Sequence, residues 1–284
     1  MISPTAVSQS VPAASDRAFS KPLIMGVINC TPDSFHEASR SGSPELAVER
    51  ALRLIEEGAD MLDLGGQSTR PGSDSVALDV ERARVIPVIK ALASQVKVPI
   101  SIDTDKAAVA AEALAAGARI INDVSAFRAD PDMATVAAGA DRVVLMHRLG
   151  DSSKAMQAAP RYADCFREVS AFLRERRDAF LSAGGRAERV WVDPGIGFGK
   201  TLEHNLQLIR RIGEFSAIAP VLLGVSRKSL FGKILPDGGP QDRLAGSLAV
   251  ASWACLSGVA VLRVHDVLET RRVVETLRAV AEAA

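Results

Sequence analysis

The sequence contains few aromatic residues, few cysteines and no excess of charge of either sign. Aromatic residues make up 4% of the 284 residues, so the core must consist mainly of Val, Ile, Leu and Ala, as in parallel sheets covered by helices. Lys plus Arg equals Asp plus Glu at 34 each, so no overall field attracts nucleic acid or an anionic membrane. No apolar run approaches the roughly 20 residues that span a bilayer. Any phosphate ligand must therefore be held by local contacts.

The cysteines indicate the cellular compartment, and the first 20 residues indicate where the folded domain begins. Cys30, Cys165 and Cys255 are odd in number and show no Cys-x-x-Cys spacing, which indicates a reducing, cytoplasmic environment without a disulfide framework. Residues 1–20 are rich in Ser, Ala and Pro and lack a basic start and an apolar core. They are predicted to form a disordered extension and not a signal peptide. Residues 21–284 contain no linker and are predicted to form one domain.

Eight apolar runs, each followed by a helical pattern, organise that domain. The runs are Leu23–Asn29, Asp60–Leu64, Pro99–Asp103, Arg119–Asn122, Arg142–His147, Val190–Asp193, Pro220–Val225 and Val259–His265. Eight such units in about 250 residues predict a (β/α)8 TIM barrel, with a doubly wound sheet as the alternative because strand order cannot be read from sequence. A barrel places functional residues at the carboxyl ends of strands. The residues found there are Asn29, Asp63, Asp103, Asn122, His147, Asp193, Ser226 and His265.

The stretch Val190–Thr201 combines a short strand with a glycine-rich loop and a following helical pattern. Asp193 stands where the strand should end, and the loop glycines admit close approach of the backbone to a polar ligand. The simpler interpretation is a tight turn with Thr201 as the helix N-cap. Gly199, Lys200 and Thr201 do not form a nucleotide-binding loop, because Pro194 occupies the position where that motif requires glycine.

Asp103, Asn122 and Asp193 are candidate ligands for a flat heterocycle. A carboxylate accepts two parallel hydrogen bonds from an amino-pyrimidine edge, and a carboxamide supplies both a donor and an acceptor. Each of the three residues could instead cap a helix. Capping of all three at matching strand ends is the less favoured interpretation.

Two basic clusters lie at the last two strands and predict an anion site. Ser226–Ser229 follows an apolar strand and is predicted to begin a helical region that runs to Leu256. Cations in a first helical turn oppose the macrodipole, so Arg227 and Lys228 indicate a bound anion, with a solvated basic turn as the alternative. Arg263 and His265 share one side of the last strand, and a phosphate would suit both. Asp266 could pair with one of these basic groups instead.

Together these motifs resemble the dihydropteroate synthases. The matching segments are 25–35, 63–72, 101–104, 121–125, 193–201, 226–229 and 263–265, in the order found in the family. The resemblance implies a (β/α)8 barrel and a transferase that forms a C–N bond in folate biosynthesis. In that reaction 4-aminobenzoate displaces pyrophosphate from 6-hydroxymethyl-7,8-dihydropterin diphosphate and gives 7,8-dihydropteroate. It also implies a Mg²⁺ cofactor, sulfonamides as competitive analogues and a homodimer formed through late helices.

The resemblance assigns site residues as well. It implies that the pterin is held by Asp103, Asn122, Asp193 and Lys228, and the pyrophosphate by Asn29, Arg70, Arg263 and His265, with Asn29 acting through Mg²⁺. The aminobenzoate site would contain Phe35, Thr69, Arg70, Pro71, Phe198 and Ser226. The catalytic residues would be Asp193, Lys228, Arg263 and His265. Mechanistically, we expect Mg²⁺ and the cations to stabilise the departing pyrophosphate while Asp193 stabilises a pterin cation.

Three departures from the family pattern are visible. Gln67 stands where the family usually has Glu, residues 36–40 differ after the first motif, and Arg148 follows His147 in place of the usual pattern. The first two leave the aminobenzoate affinity and the response to sulfonamides open. Two alternative functions follow: a binding paralogue without efficient turnover, and a pterin-dependent methyltransferase. The methyltransferase should lack the Ser-Arg-Lys and Arg-x-His segments, and both are present here.

Overall fold

A computed structural model describes residues 19–31, 44–67, 76–150, 160–235 and 243–283. Its eight strands are β1 (Leu23–Asn29), β2 (Met61–Gly65), β3 (Ile100–Asp103), β4 (Ile120–Asp123), β5 (Arg142–Met146), β6 (Val190–Asp193), β7 (Leu222–Gly224) and β8 (Val261–Val264). All neighbouring strands are parallel, in the order β6-β5-β4-β3-β2-β1-β8-β7. One further parallel bridge, between Val192 and Val221, joins the two outer strands. The sheet is therefore a nearly closed barrel, and the predicted fold class is confirmed.

Helices cover the outside of this barrel. They are α1 (Pro44–Glu56), α2 (Leu78–Ala93), α3 (Ala107–Ala115), α4 (Met133–Ala137), α5 (Cys165–Ser182), α6 (Leu202–Arg210), α7 (Leu230–Ile234), α8 (Arg243–Leu256) and α9 (Val267–Ala281). The large core cluster lies between them and the strands, where Ile24, Leu62 and Val143 are fully buried. Within the described ranges, no helix is both long and apolar enough to cross a membrane.

The barrel interior is divided into two layers by the alternation of side chains along each strand. The lower layer, here called the apolar floor, contains Met25, Met61, Ile120, Val144, Trp191, Leu222 and Val261. Two residues further along four of these strands, the same side of the sheet carries Asp63, Asn122, Asp193 and Arg263. Asp103, two residues after the buried Ser101 of β3, completes this polar layer. The apolar floor closes the barrel from below, so a ligand of the polar layer enters from the carboxyl ends of the strands.

The prediction of one helical region from Ser226 to Leu256 is wrong, because the structure has two separate helices there. The structure has α7 and α8 there, and residues 236–242 lie outside the described residues. Pro236, Gly238, Gly239 and Pro240 fall between the two helices, and such residues disfavour a continuous helix. The predicted extension at residues 1–20 also lies outside the described residues as far as position 18.

Candidate active site

Arg263 is the central cation of the polar layer because two aspartates hold its guanidinium. Its Nε donates to Asp63 Oδ2 at 2.6 Å, and its Nη2 donates to Asp103 Oδ2 at 2.7 Å. Burial alone would lower the pKa of Arg263, but the two carboxylates raise that pKa above its usual value. Arg263 is therefore permanently charged, and the partner that a buried arginine requires is a pair of aspartates and not Asp266.

Asn122 joins this network from the next strand. The register of β3 and β4 sets Asp103 beside Asn122, and the Asn122 Nδ2 donates to Asp63 Oδ2 at 3.1 Å. Burial raises the pKa of Asp103, while the neighbouring Arg263 opposes that rise. A carboxylate, a carboxamide and a guanidinium thus meet on one side of the barrel mouth, above the apolar floor.

Asp193 and Lys228 face each other across the opposite side of the mouth. The Asp193 Oδ1 accepts from the Gly195 N–H at 2.7 Å, and the Lys228 ammonium donates to the Ile196 carbonyl and lies 4.5 Å from the centroid of the Phe198 ring. Burial raises the pKa of Asp193, and Lys228 opposes it. Burial lowers the pKa of Lys228 to about 8, and Asp193 opposes that fall. The two groups therefore depend on each other to remain charged.

Lys200 holds the glycine-rich loop between β6 and α6 in place. Its Nζ contacts the Gly195 carbonyl at 2.8 Å, the Phe198 carbonyl at 3.1 Å and His147 Nδ1 at 2.9 Å. Burial lowers the pKa of Lys200 to about 7. When Lys200 is charged it only donates, so His147 then accepts at Nδ1 and carries its own proton at Nε2. These three contacts fix the loop that positions Asp193 and Phe198.

The capping alternatives can now be decided. Thr201 caps α6, since its Oγ1 accepts from the His204 N–H at 3.2 Å and His204 Nδ1 accepts from the Thr201 N–H at 3.3 Å. Asp103, Asn122 and Asp193 cap no helix. The N-cap residues of α3, α4 and α6 are Lys106, Asp132 and Thr201. The three polar residues are therefore available to a ligand in the barrel mouth.

The predicted helix N-terminus lies at the end of the segment Ser226–Ser229, where Ser229 is the N-cap residue of α7. Helix α7 begins at Leu230, and Arg227 has a left-handed backbone with φ of 58°. Arg227 Nε donates to Asp266 Oδ2 at 2.9 Å, so this ion pair neutralises the cation. The N–H groups of Arg227 and Lys228 donate to Ser247 Oγ and to the Val225 carbonyl, so these two are not available to an anion. Of the two basic residues in this segment, only Lys228 turns into the barrel mouth.

The ends of β7, β8 and β1 lie around the same opening. His265 Nδ1 lies 3.2 Å from Ser226 Oγ, which also accepts from the His265 N–H at 3.2 Å. Asn29 closes β1, and its carboxamide makes no hydrogen bond to another residue of the described ranges. Across those ranges, no group of three His, Cys, Asp or Glu residues could hold a metal. Mg²⁺ commonly keeps several waters and binds through substrate phosphates, so a single carboxamide ligand such as Asn29 fits it.

Several predicted residues lie outside the described residues. They are Phe35, Thr69, Arg70 and Pro71 of the aminobenzoate site and the departing segment 36–40. Gln67 is described, and its Oε1 accepts from Lys106 Nζ at 2.9 Å and from the Val76 N–H at 3.2 Å. The carboxamide at this departure from the family is therefore hydrogen-bonded to the far end of its own loop and to the N-cap residue of α3.

Comparison with known proteins places the chain among pterin-binding enzymes. The sequence profile of the family described as pterin binding enzyme matches residues 25–265. A protein of Escherichia coli (strain K12) named dihydropteroate synthase is 43% identical over 262 residues, which cover 92% of this chain and 91% of that protein. The chain belongs to the dihydropteroate synthase family. The expected family, the transferase function and its place in folate biosynthesis are thereby confirmed.

Solved structures of this family agree with the fold. The Xanthomonas albilineans dihydropteroate synthase with 4-aminobenzoic acid is 42% identical and superposes with a TM-score of 0.87, covering 94% of this chain and 95% of that chain. The same enzyme in complex with 7,8-dihydropteroate gives a TM-score of 0.83 at 39% identity, covering 94% and 96%. The Yersinia pestis synthase in a sulfonamide drug complex gives 0.86 at 39% identity, with the same coverage. These matches give no support to the methyltransferase alternative.

Two residues of the site received no role from sequence reasoning. For Asp63 the sequence pattern indicates only a strand end, although its position two residues after Met61 predicts the interior face. For Lys200 the sequence offers only the resemblance to a nucleotide-binding loop, which Pro194 excludes. Its contacts to His147 and the loop carbonyls depend on tertiary structure, so no local pattern indicates them.

Proposed function

We propose that this chain condenses 6-hydroxymethyl-7,8-dihydropterin diphosphate with 4-aminobenzoate, and that the polar layer holds the pterin. The observation that carries the proposal is the convergence of Asp103, Asn122 and Asp193 above the apolar floor. Their acceptor oxygens suit the N–H groups of an amino-pyrimidine edge, and Lys228 supplies a donor beside Asp193. The flat apolar body of a pterin would rest within the barrel mouth.

The pyrophosphate end of the substrate would lie toward the last strand and β1. Arg263 donates from Nε and Nη2 to aspartates, so Nη1 is the nitrogen that it offers to a phosphate oxygen. His265 and Asn29 lie at the neighbouring strand ends, and Arg70 would join them from outside the described residues. Mg²⁺, when bound to Asn29 and the diphosphate, would neutralise charge on the leaving pyrophosphate.

Asp193 is proposed to stabilise the transition state of this displacement. The bond between the pterin methylene carbon and the pyrophosphate oxygen breaks, the new C–N bond forms, and one amine proton is released. Positive charge develops on the pterin as the leaving group departs. A buried carboxylate, already oriented by the Gly195 N–H at 2.7 Å, stabilises that charge without reorganising. The neutral aromatic amine then needs little activation.

The aminobenzoate would bind beside Phe198 and Ser226, at the rim between β6 and β7. Phe35, Thr69, Arg70 and Pro71 complete this site in the proposal. Sulfonamides would compete there, as the sulfonamide complex of the Yersinia pestis relative supports. Inhibition by a sulfonamide that is relieved by added 4-aminobenzoate tests this assignment. Inhibition that is insensitive to 4-aminobenzoate would contradict it.

The deciding experiment is the release of pyrophosphate from the pterin diphosphate with Mg²⁺, with and without 4-aminobenzoate. We expect pyrophosphate release to be coupled to the formation of dihydropteroate, because the site contains residues for both the pterin and the pyrophosphate of the substrate. Measurable binding of the pterin without product would favour the binding paralogue. In that case Gln67→Glu and reversion of residues 36–40 are the first changes to make.

We further propose that the protein is a homodimer formed through α8. The side chains of Ala245, Ala249, Trp253 and Leu256 recur on one exposed face of this helix, and Trp253 and Leu256 are 46% and 69% exposed. Such a stripe is typical of a contact surface. Light scattering should show a dimer that Trp253→Arg weakens. The control Val280→Arg changes an exposed residue of α9 and should leave the mass unchanged.

A cytoplasmic location is the last part of this proposal. Cys30, Cys165 and Cys255 are free and buried, and burial raises the pKa of the Cys30 thiol to about 12. Thiols of this kind are unreactive packing groups and give no indication of an oxidising compartment. Fractionation of the source cells with an activity assay would test the assignment.

A further inference from the structure

Asp63 is a fully buried aspartate that connects two groups of the polar layer. It lies on β2 with 0% exposure, and its Oδ2 accepts from both Arg263 Nε at 2.6 Å and Asn122 Nδ2 at 3.1 Å. Its Oδ1 has no hydrogen-bond donor among the residues that the structure describes. A buried carboxylate therefore uses one oxygen to organise a cation and a carboxamide from two other strands.

The chemistry of Asp63 decides which way the Asn122 carboxamide faces. The oxygen and nitrogen of a carboxamide have nearly the same shape, so the hydrogen-bonding partners determine its orientation. An ionised carboxylate can only accept, so Asn122 must turn its NH₂ group toward Asp63. The Asn122 Oδ1 is then the atom left for a ligand in the barrel mouth. With Asp63 removed, either end of the carboxamide could face the ligand.

Asp63 also restricts the guanidinium plane of Arg263. The Nε contact to Asp63 and the Nη2 contact of 2.7 Å to Asp103 fix two sides of the planar group. The second contact occupies Asp103 Oδ2, so Asp103 offers its other oxygen to a ligand. The ligand-facing atoms of Asn122 and Asp103 are then both acceptors.

We propose that Asp63 is a positioning residue that makes this side of the site an acceptor surface, selective for a heterocycle edge that carries N–H donors. This inference rests on the proposed pterin site and deepens it. Asp63 itself does not touch the ligand. Through Asn122, Asp63 determines whether the site prefers a 2-amino edge or the corresponding 2-oxo edge. In the 2-oxo edge a carbonyl oxygen, an acceptor, replaces the exocyclic amino group, a donor.

The test compares the binding of 6-hydroxymethylpterin and 6-hydroxymethyllumazine, its 2-oxo analogue, by calorimetry without turnover. The wild-type protein should prefer the pterin by at least about a hundredfold, because a site built for a donor rejects the analogue that lacks it. In Asp63→Ala, Asn122 can rotate, so that preference should fall by about tenfold or more. Asp63→Asn keeps an acceptor oxygen, so it should weaken pterin binding by about tenfold and retain the preference.

A matched control, Asp60, lies immediately before the first residue of the same strand. The Asp60 Oδ2 accepts from Arg271 Nη2 at 2.6 Å and from the Ile24 N–H at 2.7 Å, so it is also an aspartate paired with an arginine. Asp60→Ala should leave the pterin preference at its wild-type value. A purely stabilising role of Asp63 would change both variants alike, whereas the positioning role changes only the Asp63 variants.

A reciprocal exchange keeps the inference testable should Asp63→Ala not fold. Asn122→Asp alone replaces the 3.1 Å hydrogen bond between residues 122 and 63 with two carboxylates that repel each other. It should therefore weaken pterin binding by more than about tenfold. Adding Asp63→Asn restores a donor facing an acceptor, so the double variant should recover at least about tenfold.

The possible results separate this inference from the proposed function. A folded Asp63→Ala protein with the wild-type preference would overturn the inference, as would a double variant that recovers nothing over Asn122→Asp. Wild-type protein that binds the pterin selectively but releases no pyrophosphate would contradict only the proposed turnover. Wild-type protein that binds no pterin would overturn both.

Discussion

His147 should make the protein sensitive to acid. The ring is buried, and its Nδ1 accepts from Lys200 Nζ at 2.9 Å. Burial, followed by the charges of Lys200 and Arg128, lowers the pKa of His147 to about 2. The folded protein therefore keeps this ring neutral at pH values where the unfolded chain protonates it.

The size of the effect follows from the two pKa values. The unfolded chain, with a pKa of about 6.5, binds more protons than the folded protein between about pH 2 and pH 6.5, so stability falls as the pH falls through that window. At pH 5 the loss assigned to His147 is about 2 kcal/mol, and it grows by about 1.4 kcal/mol for each further pH unit. Above pH 7 the contribution is constant.

The assay is urea unfolding of the wild-type protein and His147→Asn at pH 7.5 and pH 5. The carboxamide of Asn can offer Lys200 an acceptor near the position of Nδ1 but does not titrate. The carboxylates, and Lys200 with a pKa lowered to about 7 by burial, titrate in both proteins, so their effects largely cancel in the comparison. We expect the wild type to lose about 2 kcal/mol more than the variant. Equal losses in the two proteins would refute the reasoning.

Three further predictions concern the loop and the reaction. Asp193→Asn should lower kcat by about a hundredfold or more while product affinity changes little, and equal losses in both would exclude its role in the transition state. Gly195→Ala would set a Cβ 1.8 Å from the His147 carbonyl oxygen, whereas at Gly184, also at positive φ, a Cβ meets nothing within 4 Å. Gly195→Ala should therefore cost at least about 2 kcal/mol more in urea unfolding than Gly184→Ala, and similar losses would contradict the clash. Chelation of Mg²⁺ should lower pyrophosphate release while binding of 6-hydroxymethylpterin persists, and a loss of pterin binding would place the ion elsewhere than beside Asn29.

The strands and the two interior layers were predictable because they depend on local patterns. Each strand is a short apolar run, and the alternation along it sets Asp193 two residues after Trp191 and Arg263 two residues after Val261. The eight repeats then imply that these strand ends meet at one opening. All of this uses distances of a few residues along the chain.

What could not be predicted depends on contacts between distant segments. Arg263 and Asp63 are 200 positions apart, so the sequence showed that this arginine needs a partner but not which one. The left-handed backbone of Arg227 keeps this residue out of the helix that begins at Leu230, and Arg227 forms an ion pair with Asp266, which is 39 positions away. The pattern of residues 226–229 alone predicts basic residues in a first helical turn, but the helix begins only at Leu230, so Arg227 and Lys228 precede that turn.

The single bridge between Val192 and Val221 makes the junction of β6 and β7 the least extensively paired part of the barrel. Elsewhere neighbouring strands share three to five paired positions, but β6 and β7 share only this one. Asp193 is the last residue of β6, and Lys228 follows β7 on the other side of this junction. A ligand that contacts both residues would link β6 to the segment after β7. A bound ligand should therefore slow the local opening of the barrel between these two strands.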